Sequence, residues 1–239
     1  MISLCITTYN RSDLTIDSFV DVLYDDRISE IIVVDDNSDP KIYTSLSVMI
    51  EGLREGGGYQ TGYHKKLKLH SNDENIGMSR NKARAVELAS NPWCIILDSD
   101  NVIDPSYLDA LPEYLAPSVI YCPDFAKPQF DYRKYAGMTI NADNAAKVMS
   151  KPMGECLFNT CNYLVNREEY LSVYEYTPDM KGTDTIWFNY LWLKAGNSFS
   201  VVPGMEYMHR VHAGSGFLAD VDYNMKKAAE VKQLIQTLR

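Results

Sequence analysis

The chain alternates short, continuous apolar runs with longer stretches of mixed character. Ile2–Thr7 reads ISLCIT, Ile31–Val34 reads IIVV, Leu67–His70 is a shorter run, and Trp93–Leu97 reads WCIIL. Runs of this length, bounded by polar residues, predict strands buried on both faces. The intervening stretches carry helical period. Ser12 is a candidate N-cap for a helix over Asp13–Leu23, whose apolar face holds Leu14, Phe19, Val22 and Leu23. A second helix is predicted over Ile42–Leu53, ended by Gly56, Gly57 and Gly58, which open a loop through about His64. Asn75-Ile76-Gly77 reads as a turn before an amphipathic helix over Met78–Ala89. Strand, helix, strand, helix, strand, helix, strand predicts an α/β fold with a mostly parallel, doubly wound sheet.

Beyond residue 101 the pattern loosens. It predicts helices over Pro105–Leu115, Ala142–Met149, Glu168–Tyr174 and Thr183–Lys194, and an amphipathic helix over Val221–Leu238. Strands are predicted at Val119–Cys122, within Leu157–Val165, at Phe199–Val202 and at Met205–His209. The 239 residues suit one large domain. Residues 1–101 read as a nucleotide-binding half, and residues 102–239 as a smaller, mixed half for the second substrate.

Charge narrows the partners. The formal net charge is −9, a poor match for wrapping nucleic acid, which needs a basic face. Five cysteines show neither CxxC nor zinc spacing, which predicts a reduced, cytoplasmic, soluble protein. No apolar run approaches the ~20 residues of a membrane span. Ile2–Ile6 is too short for a signal peptide. Peripheral membrane contact stays open.

Candidate chemistry gathers where the strands end. Doubly wound sheets bind ligands beyond the carboxyl ends of their strands. The polar clusters at Thr7–Arg11, Asp35–Ser38 and Asp98–Asp100 all fall there. Two carboxylates as close as Asp98 and Asp100 repel each other. A hard divalent cation relieves that repulsion and keeps places for phosphate. The plainer reading is a turn after a strand.

These residues carry a resemblance. TTYNR after the first strand, VVDDNS after the second, the helix NIGMSRNKARAVELA and the strand end LDSDN resemble, in order and spacing, the inverting glycosyltransferases of family 2 with the GT-A fold. GTDTIWFNYLW is similar to that family's acidic base motif followed by a Trp-bearing helix, and YMHRVHAGS to its late His-x-x-Ser segment. The resemblance implies a single GT-A-like domain that transfers a sugar, most often from UDP, to an acceptor hydroxyl with inversion, using Mn²⁺ or Mg²⁺.

Residue by residue it implies the following. Thr7, Tyr9 and Arg11 face the donor nucleotide; a turn residue and a buried aromatic are the plain alternatives for the first two. Asp35 bonds the base or ribose, while Asp36 caps the next helix. Arg80, in the first turn of its helix, faces the diphosphate or lies on the solvated surface. Asp98 and Ser99 lie at the donor and Asp100 ligates the metal. His212 is a further metal ligand, with His209 its competitor. Asp184 is the general base, since the attacking hydroxyl needs a carboxylate to take its proton; N-capping is the alternative. Many relatives carry two successive acids here, and this chain has Thr183 in the first place. Trp187 and Trp192 stack on a sugar or fill the core.

Three rivals are weaker. A haloacid dehalogenase-like phosphatase would explain CIILDSDNV but leave TTYNR and VVDDNS idle. A nucleotidyltransferase would want a Gly-rich loop after the first strand. A domain that binds a sugar nucleotide without turnover is separated by assay: a transferase hydrolyses donor slowly.

Overall fold

The computed structural model describes residues 1–56, 66–180, 182–211 and 218–238. The chain runs β1 (Ile2–Thr8), α1 (Ser12–Asp17), β2 (Ile28–Asp35), α2 (Pro40–Gly56), β3 (Leu67–Ser71), α3 (Met78–Leu88) and β4 (Trp93–Asp98). The second half follows with α4 (Pro105–Asp109), β5 (Val119–Lys127), β6 (Phe130–Asp131), β7 (Thr139–Ile140), α5 (Ala142–Met149) and α6 (Gly154–Leu157). It ends with β8 (Leu164–Asn166), α7 (Arg167–Val173), α8 (Asp184–Lys194), β9 (Ser198–Met208) and α9 (Val221–Gln236).

The described strands form one sheet in the order β3-β2-β1-β4-β8-β5-β9-β7, with β6 on β5. The first four are parallel, as the apolar runs predict. Leu4, Cys5, Ile6 and Ile31–Val34 have no exposed surface, so helices and loops cover both faces. The sheet then turns mixed. β8 lies antiparallel to β4 and to β5, and β9 returns parallel to β5.

Several boundaries differ from expectation. Ser12 is the first helical residue rather than the cap; Arg11 holds the N-cap position without a side-chain bond to the helix. The helix stops at Asp17, and Val20–Val22 forms a separate 3₁₀ turn. Ser18 turns its hydroxyl back onto the Thr15 carbonyl and its own carbonyl accepts from Ile103, which fixes the break. Val119–Cys122 extends to Lys127, because the register shift between Pro123 and Phe125 accommodates a proline. The two strands expected around Pro203-Gly204 are one, β9. The loop through His64 lies outside the described residues, as does His212.

Candidate functional site

At the carboxyl ends of β1 and β4, and beside β9, lies a cleft of about 450 Å³. Its near wall is the turn after β1. Asn10 takes the left-handed conformation at φ 55°, and it is tied to the next loop: its amide donates to Ser38 Oγ at 2.7 Å and its side chain accepts from Asp39 N at 2.8 Å. Thr7, Tyr9 and Arg11 line the cleft, and Tyr9 stands 47% exposed at the rim.

The two acids after β2 part ways. Asp35 is buried and accepts from the Ser38 amide at 2.9 Å and the Ser38 hydroxyl; it does not line the cleft. Asp36 does line it, and caps no following helix. One oxygen accepts from Ile76 N and Asn72 Nδ2, the other from Gly77 N, each at 2.9 Å. α2 is capped by Asp39 instead, which accepts from Lys41 N. Asp36 therefore fixes where α3 begins.

One turn into α3, Lys82 reaches under the cleft floor. Its side chain is 8% exposed; its ammonium lies 2.9 Å from Asp184 Oδ2 and 3.2 Å from Asp98 Oδ1. Burial alone would lower the Lys82 pKa, but the two carboxylates outweigh it and hold the ammonium charged. Asp98 is under the same contest: burial pushes its carboxyl up, and Lys82 with the Cys161 thiol bring it down. Cys161 donates to Asp98 Oδ2 at 2.7 Å. The Asp98 amide donates to Asn162 Oδ1 at 3.0 Å.

Asp184 opens α8 at the first helical position, after Thr183, and its carboxylate reaches to Lys82. It is buried, yet it lines the cleft. Gly182 lies two residues before it, where an added Cβ would come 2.3 Å from Asn224 Nδ2 of α9. The last helix thus presses directly on the segment that delivers Asp184.

Asp100 is paired with Arg11 at 2.7 Å. Its backbone carbonyl accepts from Arg210 Nε at 2.6 Å, and Arg210 also reaches Leu14 O and Asp17. His209 lines the cleft beside Arg210. Its ring lies edge-on to Phe130 at 5.1 Å, and its Nδ1 is buried without a hydrogen-bond partner. Burial lowers the His209 pKa, against the pull of Asp100 and Asp98, so the imidazole is neutral at pH 7.

Other expected residues lie elsewhere. Ser99 is buried behind the cleft with its hydroxyl unbonded. Arg80 stands over the Tyr176 ring at 5.3 Å and does not line the cleft. Trp192 is core and bonds the Ser198 carbonyl, while Trp187 donates to Glu175 O.

Among the described residues, no three His, Cys, Asp or Glu side chains converge as a closed metal cage. The donor chemistry still suits a hard cation that takes part of its shell from phosphate. Asp100 offers a carboxylate and His209 an unbonded, neutral nitrogen. Four carboxylates face the cleft (Asp36, Asp98, Asp100, Asp184) against Arg11, Lys82 and Arg210. An added diphosphate would leave that balance strongly negative without a cation.

A family model described as glycosyl transferase family 2 matches residues 3–175. Comparison with curated proteins gives no match. Among solved structures, GalNAc-T7 with UDP, GalNAc and Mn²⁺ is similar with a TM-score of 0.66 at 16% identity, covering 98% of this chain and 48% of that one. S. aureus TarS 1-349 in complex with UDP-GlcNAc scores 0.65 at 16% identity, covering 96% and 66%. The mannosyltransferase PcManGT from Pyrobaculum calidifontis, with GDP-Man and Mn²⁺, scores 0.62 at 14% identity, covering 98% and 68%. The chain spans about half to two thirds of the length of these structures, and at such identities the likeness is one of fold: the GT-A arrangement.

Proposed function

Because the chain belongs to glycosyl transferase family 2, we propose that it moves a sugar from a nucleotide-sugar donor, a UDP-sugar, to an acceptor hydroxyl, inverting the anomeric carbon. The observation that carries this is the convergence of Asp184 and Asp98 on the Lys82 ammonium at the floor of the cleft. It sets a carboxylate from the second half against the strand end that would hold the donor. Solved neighbours are described with UDP-GlcNAc and with GDP-Man, which supports the donor class.

In this reading Thr7, Tyr9 and Arg11 hold the nucleotide and its diphosphate. Asp35 shapes the donor loop from below, through Ser38. The acceptor oxygen attacks the anomeric carbon from the side opposite the diphosphate. Its proton passes to the Asp184 oxygen that Lys82 does not hold, and the bond to the leaving phosphate breaks with its electron pair. Asp100 and His209 would hold Mn²⁺ or Mg²⁺, with His212 a further candidate. When bound, the ion supplies Lewis-acid neutralisation of the leaving diphosphate.

A thermal-shift panel of UDP-, GDP- and dTDP-sugars, with and without Mn²⁺, tests the proposal. A donor at 100 times its Kd stabilises by about 2.7 kcal/mol. The donor that stabilises should also release nucleoside diphosphate slowly in water. Stabilisation without release would make this a binding module, and the absence of both effects would overturn the proposal.

A further inference from the structure

The lip of the cleft is held by a pair whose two backbones are both fixed. Arg11 and Asp100 meet at 2.7 Å with side chains 20% and 13% exposed. The Arg11 backbone is anchored, because its carbonyl accepts from Thr15 N at 2.9 Å and Thr15 Oγ1 at 2.6 Å. The Asp100 backbone is anchored too, through Arg210. Both main chains therefore stay in place if the guanidinium leaves the carboxylate. The pair is mostly buried, so parting it is costly unless an incoming charge takes the place of each partner.

We infer that Arg11 serves two partners in turn. It is the counter-ion of Asp100 while the cleft is empty, and a divalent cation arriving on Asp100 drives it across to the donor diphosphate. This rests on the donor and metal reading given above. The physical reason is charge. A dication on Asp100 repels the guanidinium and takes over its carboxylate. A diphosphate beside that ion offers the planar fork a better acceptor, since Arg matches phosphate oxygens bidentately. Arg11 thus competes with the metal before binding and cooperates with it afterwards, so metal and nucleotide are coupled through one side chain.

Opposite signs in one variant are the signature. Calorimetry with Mn²⁺ alone, and then with UDP or GDP at saturating Mn²⁺, is run on the wild type, Arg11→Gln and Arg11→Lys. Circular dichroism checks each fold, and the backbone anchors of residue 11 survive both substitutions. Arg11→Gln should bind Mn²⁺ alone about 5-fold more tightly and the nucleotide about 5-fold more weakly, a coupling of ordinary allosteric size. Arg11→Lys keeps the charge and loses the fork, so it should restore the competition with Mn²⁺ but only part of the nucleotide affinity. Arg11→Gln weakening both ligands, or changing neither, overturns the exchange. A wild type that binds neither Mn²⁺ nor nucleotide removes the proposed function itself, and the exchange with it.

Discussion

The Lys82 ammonium lies 2.9 Å from Asp184, a residue 102 positions away, and joins the parallel half of the fold to the helix that carries the candidate base. Asp184 is therefore a partner of a buried cation, and not a free helix cap. Asp184→Asn should lower the rate of donor turnover by roughly 10²–10⁴, the usual contribution of a positioned general base. UDP affinity should hold within a few-fold by calorimetry. Turnover at the wild-type rate would strip Asp184 of the role.

Lys82→Met tests the other end of the contact. It leaves Asp98 and Asp184 facing each other with no cation between them. Removing one partner of a buried ion pair costs about 3–5 kcal/mol. Denaturant melts at pH 7 should show that loss, while Lys82→Arg should recover a good part of it. An unchanged midpoint for Lys82→Met would mean that the ammonium contributes nothing to holding the two carboxylates.

For the metal, Asp100→Asn should abolish the tightening of UDP binding by Mn²⁺ and leave the thermal midpoint close to the wild type. His209→Ala should weaken Mn²⁺ binding several-fold, because it removes the buried nitrogen that has no other partner. Equal Mn²⁺ affinity in the wild type and both variants would place the ion elsewhere.

Packing behind the base gives a steric prediction. Gly182→Ala puts a methyl 2.3 Å from the Asn224 amide. Overpacking of this kind typically costs 1–3 kcal/mol. Shortening the opposing side chain, Asn224→Ala, should rescue Gly182→Ala in a double-mutant cycle. Simple additivity of the two changes would show that Gly182 and Asn224 do not meet in solution.

Acid stability has its own reporter at the opposite end of the sheet. Burial pushes the Glu30 carboxyl up, but bonds from Lys68, Ser3 and Ser90 prevail and hold it down at about 2, against 4.5 when free. A lowered carboxyl stabilises the fold above its unfolded pKa, and the benefit fades as pH falls from 4.5 towards 2. Glu30→Gln should lose stability at pH 6 and show a flatter dependence across that window. Parallel pH curves for the two proteins would refute the assignment.

The parallel half of the fold was legible because its strands are continuous apolar runs, which only a doubly covered sheet can bury. The later strands were less so. β9 reads as two because Pro203-Gly204 breaks the pattern, although the sheet carries on through them. At the cleft, the strand-end acids are visible in sequence, but which of two neighbours faces inward is not. Asp35 and Asp36 are told apart by the groups that reach them: Ser38 holds the first, and the amides of Ile76 and Gly77 hold the second. On α3, Arg80 and Lys82 differ by two residues, about 200° of helix, so one stands over Tyr176 and the other lies under the floor. Lys82, Cys161 and Arg210 left no local signal, since each matters through a partner far along the chain.

The short antiparallel strand β8 has a consequence for how the cleft can vary. Parallel strands reach the ligand edge with their ends, whereas β8 leaves from that edge, so the segment feeding it stands beside Asp98. Asn159, Cys161 and Asn162 form this far wall in the segment that leads into β8. Lengthening or shortening the chain around Asn159 would reshape this wall without shifting the register of β1, β2 or β4. The opposite wall has no such freedom, because its loops hang from the parallel frame itself. Two walls of one cleft thus answer to different constraints: one to the sheet's register, the other to the length of a connection.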